Sequence, residues 1–130
     1  MSLKTNIEFK NDILFVKISG IWSLEEAKDI FKTIIESLKI HITNKILIDT
    51  TEIEKISRSI FQAYDYARFV SKEIVHFKMQ GDKRNFRFAY LYHMSFSKVL
   101  KFGELVAINR GMKTKAFVDY EDALRWLEKE

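Results

Sequence analysis

The sequence predicts a single α/β domain over residues 1–130, with one layer of mixed, mostly parallel sheet covered by about four helices in the order β-β-α-β-α-β-α-β-α. Three observations carry this prediction. Apolar residues alternate at period two on both sides of Asn11-Asp12, which marks a hairpin. Beyond Gly20, short apolar runs take turns with stretches whose apolar residues recur every three or four positions. Proline is absent and glycine occurs only four times, so short loops set by Gly, Asn, Asp and Ser must join these elements.

The opening hairpin is "IEFKNDILFVKISG", with Ile7 and Phe9 on one arm and Val16 and Ile18 on the other. Ser23 stands three residues before Glu26, a capping-box spacing. Leu24, Ala27, Ile30, Phe31, Ile34, Ile35 and Leu38 then form a helical stripe. "KILIDTT" reads as a short strand buried on both faces and closed by Asp49. A long helix is predicted from about Ser57 to Lys78, with a stripe of Ile60, Ala63, Tyr64, Ala67, Val70, Ile74 and Phe77. "GDKRN" is a polar loop, and "FRFAYLY" a strand with Phe86, Phe88, Tyr90 and Tyr92 on one face. The third helix is "SFSKVLKFGELVAIN", capped by Ser95 and stopped by Gly111. "TKAFVD" is the last strand, and Asp119, three residues before Asp122, caps a terminal helix.

Composition narrows the function classes. At 130 residues, 47% hydrophobic, the chain can fill one core. No run approaches the length of a membrane-spanning helix, and the first residues lack a secretory signal pattern, so a cytoplasmic location is the expectation. Without cysteine there is no disulfide, thiolate nucleophile or zinc–thiolate site. Residues 71–115 carry 10 basic and 3 acidic groups, yet they are spread one to a turn and accompany no nucleic-acid-binding motif. Nucleic acid is therefore not the expected partner. His41, His76 and His93 are too far apart in sequence for a paired metal motif, so no metal and no cofactor are expected. Asp49, His93, Ser95 and Asp119 fall at strand ends where α/β sheets gather ligands, but capping and strand-ending roles explain each one. No P-loop, nucleophile elbow or Gly-rich dinucleotide turn is present, so the sequence points away from an enzyme.

The element order, "GIWSLEEA" at the first helix and "ILID" at the third strand together resemble STAS domains. "AFVDYEDALRWL" is similar to the F-x-D-x-x-E-A-x-x-W-L ending of the small bacterial SpoIIAA-like STAS/SEC14 proteins. In physical terms Ala123, Leu124 and Leu127 of that ending pack inward while Trp126 covers a flank. The resemblance implies a regulatory module acting through a protein partner. It also singles out the loop before the second helix, where anti-sigma-factor antagonists carry Asp-Ser-Ser-Gly with a phosphorylated serine. Here Ser57 takes the Asp place, Arg58 a serine place and Ile60 the Gly place, so only Ser59 coincides. A serine at that spot can accept a phosphate favoured by the helix N-terminus and a neighbouring arginine, or it can simply cap the helix.

Surplus hydrophobicity points the same way. Phe61, Tyr66, Phe69 and Val75 fall outside the stripe of the second helix, and Phe102, Leu105 and Ile108 flank that of the third. Such faces need cover: a deeper core, a partner protein, a homodimer or an apolar ligand. The expected partner surface is therefore Asp49, Thr50, Thr51, Ser57, Arg58, Ser59 and Phe61. The alternative is a carrier of a small hydrophobic, lipid-like or anionic ligand held near Tyr66, Phe69, Phe102 and Leu105.

Overall fold

Asn11 and Asp12 both take positive φ, 52° and 63°. This conformation suits the two-residue turn whose twist matches paired strands, and Asn and Asp tolerate it best after glycine. It joins β1 (Leu3–Lys10) to β2 (Ile13–Ile21) as an antiparallel hairpin. The remaining elements are α1 (Leu24–Ile40), β3 (Lys45–Lys55), α2 (Ile60–Met79), β4 (Arg87–Leu91), α3 (Ser97–Asn109), β5 (Lys113–Phe117) and α4 (Tyr120–Glu128). The computed structural model describes residues 3–55 and 59–129.

The described strands form one sheet in the order β1-β2-β3-β4-β5, parallel from β2 onward. Each parallel strand is laid on the same side of its predecessor. Right-handed crossovers then send every connecting helix to one face. Accordingly Phe31, Ile34 and Leu38 of α1 and Val70, Ile74 and Phe77 of α2 share a core with Leu14, Val16, Ile46, Ile48 and Phe88. The second face is left to α4, whose Ala123 and Leu127 pack on Ile13, Leu47, Ala89 and Leu91. Trp126 lies over the flank as the sequence predicts, tilted against Phe117 and beneath the Arg87 guanidinium, 4.4 Å away.

The predicted caps of the first and last helices form. Ser23 accepts from the Glu26 amide and donates its hydroxyl proton to Glu26 Oε1, while Glu26 Oε2 accepts from the Leu3 amide and ties the hairpin to α1. Asp119 accepts from the Asp122 amide. The third helix starts differently. Met94–Phe96 form a 3₁₀ turn capped by His93, whose ring nitrogen accepts from the Ser95 amide. Ser95 thus sits inside the turn and is not the predicted cap; a ring nitrogen two residues earlier reaches that amide first.

The third strand also departs from expectation. It runs through Thr50 and Thr51 to Lys55, because β2 is long enough to keep pairing it through Ile21. Two register shifts accommodate the extra length: Lys17–Ser19 of β2 faces Asp49–Glu52, and Gly20–Ile21 faces Ile53–Lys55. Each inserts one residue into β3, which reverses the side-chain phase. Thr50 and Ile53, three apart, consequently both face the helices.

Candidate functional site

The residues of the expected partner surface do not share one face. Thr50 is buried, and its hydroxyl donates to the Leu91 carbonyl at 2.8 Å, a strand-to-strand staple. Asp49 and Thr51 alternate to the opposite side of the sheet. There Asp49 Oδ1 accepts from the Thr51 amide and hydroxyl, at 2.9 and 2.6 Å. Beside them Lys17 pairs with Glu52 at 2.7 Å, and that carboxylate, more than Asp49, raises the lysine pKa. These are strand residues because β3 continues past the point where the sequence places a loop. Ser57 and Arg58 lie outside the described residues.

Ser59 and Phe61 stand at the entrance to α2. Ser59 holds the N-cap position with extended backbone, φ −73° and ψ 121°, and its carbonyl accepts from the Ala63 amide. The expected side-chain capping bond is not made. The first turn of α2 contains no acidic residue, so the positive end of the helix dipole meets no intrahelical countercharge there. Phe61 is 79% exposed in that turn. On the same helix Val75 is 53% exposed.

The long helix sorts its two tyrosines opposite to the predicted stripe. Tyr64 faces outward, where Arg110 stacks over its ring and donates to its hydroxyl at 2.9 Å. Tyr66 turns inward and meets Tyr90 hydroxyl to hydroxyl at 3.2 Å. Both tyrosines are half-buried, and desolvation of their phenols pushes Tyr66 up to about 12 and raises Tyr90 well above its ordinary 10. A raised folded-state value makes the native form hold its proton more tightly than the unfolded chain. Stability from these groups is thus intact below pH 10 and lost as pH rises toward 12. Replacing both tyrosines with phenylalanine is expected to flatten the alkaline fall in a pH series of urea-unfolding midpoints.

Beside the tyrosine pair lies an apolar pocket of about 100 Å³, open on one side to solvent and lined by α1, α2, α3 and the helix-facing side of the sheet. Small residues make the space: Ala63 and Ala67 on α2, Gly103 and Ala107 on α3, and Ala116 on β5. A methyl group built on Gly103 would meet nothing within 4 Å. Gly103→Ala is therefore expected to stabilise the fold by about 0.5–1 kcal/mol, through helix propensity alone, read as a higher denaturation midpoint.

Of the residues expected near a ligand, only Tyr66 lines this cavity. Phe69 packs partly buried against the main core, with the Lys28 and Lys32 ammonium groups 5.5 and 5.9 Å from its ring. Phe102 is half-buried and Leu105 is 56% exposed on α3. Periodicity identifies surplus apolar residues but not the direction they face. A usable signal was the coincidence of small residues on three elements that the topology brings together.

His93 Nδ1 and the Ser95 hydroxyl are 2.8 Å apart, a contact belonging to the exposed 3₁₀ turn. Among the described residues no group of three or more His, Cys, Asp or Glu could hold a metal ion, and no helix is long and apolar enough to cross a membrane.

The sequence matches no known family profile and no curated protein. Its three-dimensional structure does have counterparts. It is similar to an anti-sigma factor antagonist from Mycobacterium paratuberculosis, with TM-score 0.59 and 12% identity over 98% of this chain and 96% of that one. It is also similar to SpoIIAA in its unphosphorylated form, with TM-score 0.55 and 13% identity over 97% and 100%. An uncharacterised DUF3478 protein with a SpoIIAA-like fold from Shewanella loihica gives TM-score 0.52 and 21% identity over 97% and 94%. The chain thus has the SpoIIAA-like fold, as the sequence resemblance implies.

Proposed function

We propose that this domain is a non-enzymatic regulatory module that binds another protein through the entrance to α2. The observation that carries the reading is Phe61, a large aromatic 79% exposed in the first turn of α2, two residues from the Ser59 N-cap. Buried aromatics dominate binding energy at protein interfaces, and an aromatic left in water on a rigid helix is preorganised for that role. Two of the structural counterparts are anti-sigma factor antagonists by name, which supports a protein as the partner. Asp49, Thr50 and Thr51 are not part of the proposed contact, since they are strand residues that bond within the sheet.

Ser59 is the proposed control point. A negative charge at this N-cap meets the positive end of α2, so it is tolerated by the fold while changing the surface beside Phe61. Ser59→Asp is expected to leave stability unchanged or raised by about 0.3–1 kcal/mol and to weaken partner capture. The test compares affinity captures from source-cell lysate with wild-type, Ser59→Asp, Phe61→Ala and Leu105→Ala baits. A partner retained by Leu105→Ala and lost by Phe61→Ala and Ser59→Asp supports the reading. Identical captures with all four baits contradict it.

A further inference from the structure

We infer that the open edge of β1 pairs antiparallel with β1 of a second copy of this chain, in the register that sets Asn6 opposite Asn6 on a twofold axis. This surface does not depend on the α2 entrance. β1 ends the sheet order, and among the described strands only β2 pairs with it. It is eight residues long, without a bulge, and Lys4, Thr5, Asn6, Glu8, Phe9 and Lys10 are exposed. A long, regular edge strand is a template for another strand.

Two observations fix which backbone groups point outward. Lys10 and Ile13 flank the two-residue turn as its closing hydrogen-bonded pair, so Lys10, Glu8, Asn6 and Lys4 direct their N–H and C=O groups to β2. The Leu3 amide agrees, since it donates away from β2 to Glu26 Oε2 at 3.2 Å. Thr5, Ile7 and Phe9 therefore line the free edge with backbone groups that have no partner among the described residues. Two such edges can bond only by matching outward residues with outward residues.

Charge selects among the registers that remain. With Asn6 opposite Asn6, Lys4 of each copy faces Glu8 of the other, Thr5 faces Ile7, and Leu3 faces Phe9, which is 38% exposed in the single chain. Centring the pair on Ile7 sets Lys4 against Lys10, and centring it on Thr5 leaves Glu8 opposite no cation. Opposite charges at facing positions stabilise a strand pair and like charges weaken it. Lys4 has no ion pair among the described residues, and Glu8 pairs only with the exposed Lys10 of its own strand.

Sedimentation velocity of the whole chain from about 1 to 500 µM should show a reversible monomer–dimer equilibrium, weak because one strand pair buries little surface. Lys4→Glu sets like charges together at both symmetry-related positions, as does Glu8→Lys, and each should weaken self-association about tenfold. Mixed in equal amounts, the two variants regain opposite charges at both positions and should associate as the wild type does, a rescue that misfolding cannot produce. In this chain without cysteine, Asn6→Cys should form a disulfide-linked dimer in oxidised glutathione, since facing non-hydrogen-bonded residues lie within disulfide reach, and Glu8→Cys should not. The inference is overturned if the chain stays monomeric throughout, which leaves the edge to a strand of another protein. It is equally overturned by a dimer indifferent to Lys4→Glu, by a mixture that does not associate, or by equal crosslinking at positions 6 and 8.

Discussion

Phe88→Ala is expected to destabilise the domain by about 3–5 kcal/mol, the range for removing a fully enclosed aromatic ring. Phe88 lies on the interior strand β4, is inaccessible to solvent, and has Phe31 and Phe86 at ring-centroid distances of 5.8 and 6.2 Å. Phe31 comes from α1 and is fully buried as well, so the ring couples the first crossover helix to the sheet. On the neighbouring strand β3, Ile46 opposite Phe88 and Ile48 two residues on are both fully buried, which limits collapse into the vacated space. Small domains are stable by only about 5–15 kcal/mol. The variant should therefore show a sharply lower urea midpoint with an unchanged slope. A loss under about 1 kcal/mol would mean that Phe88 is not at the centre of the core.

Arg84→Ala should be the next most damaging change, at about 2–3 kcal/mol, because a single guanidinium closes several open ends at once. It donates to the carbonyls of Leu38, His41 and Thr43 at 2.7–3.0 Å, where α1 ends and the chain turns into β3. The Leu38 carbonyl, in the last turn of α1, belongs to the negative end of the helix dipole. The same group pairs with Asp82 through two nitrogens and lies over the rings of Phe77 and Phe86. Lysine keeps the charge but not the planar fork, so Arg84→Lys should recover less than half of the loss. The pair also sets a pH signature. Arg84 holds the Asp82 carboxyl below its ordinary 3.8, so its contribution is complete above that value and fades as pH falls through the depressed one. Denaturation midpoints of Arg84→Ala should therefore depend less steeply on pH below about 4 than those of the wild type.

The hairpin, the first and last helices and the alternation of β4 were legible because each is governed by local rules. Asn11-Asp12 tolerates the turn, Ser23 and Asp119 cap, and Phe86 and Phe88 alternate with Ala89 and Leu91. What stayed hidden depends on tertiary partners. The extension of β3 follows from the reach of β2 and needs bulges that no local pattern announces. Tyr64 and Tyr66 could be told apart only by their long-range partners, Arg110 and Tyr90. Arg84 reads as one more charge in a polar loop until the end of α1 is folded against it. The candidate site divided along the same line. Phe61 is exposed as surplus hydrophobicity suggests, whereas Thr50, which the sequence places on a surface, is buried by the extended strand.

The reading of the domain as a protein-binding module rests on Phe61. A photo-crosslinking amino acid placed at position 61, and in parallel at position 105, examines it inside the cells that make the protein. Position 61 should give one dominant adduct with another polypeptide, a second copy of this chain included, and position 105 should not. No adduct at 61, or equal adducts at both positions, would contradict a working surface at the start of α2.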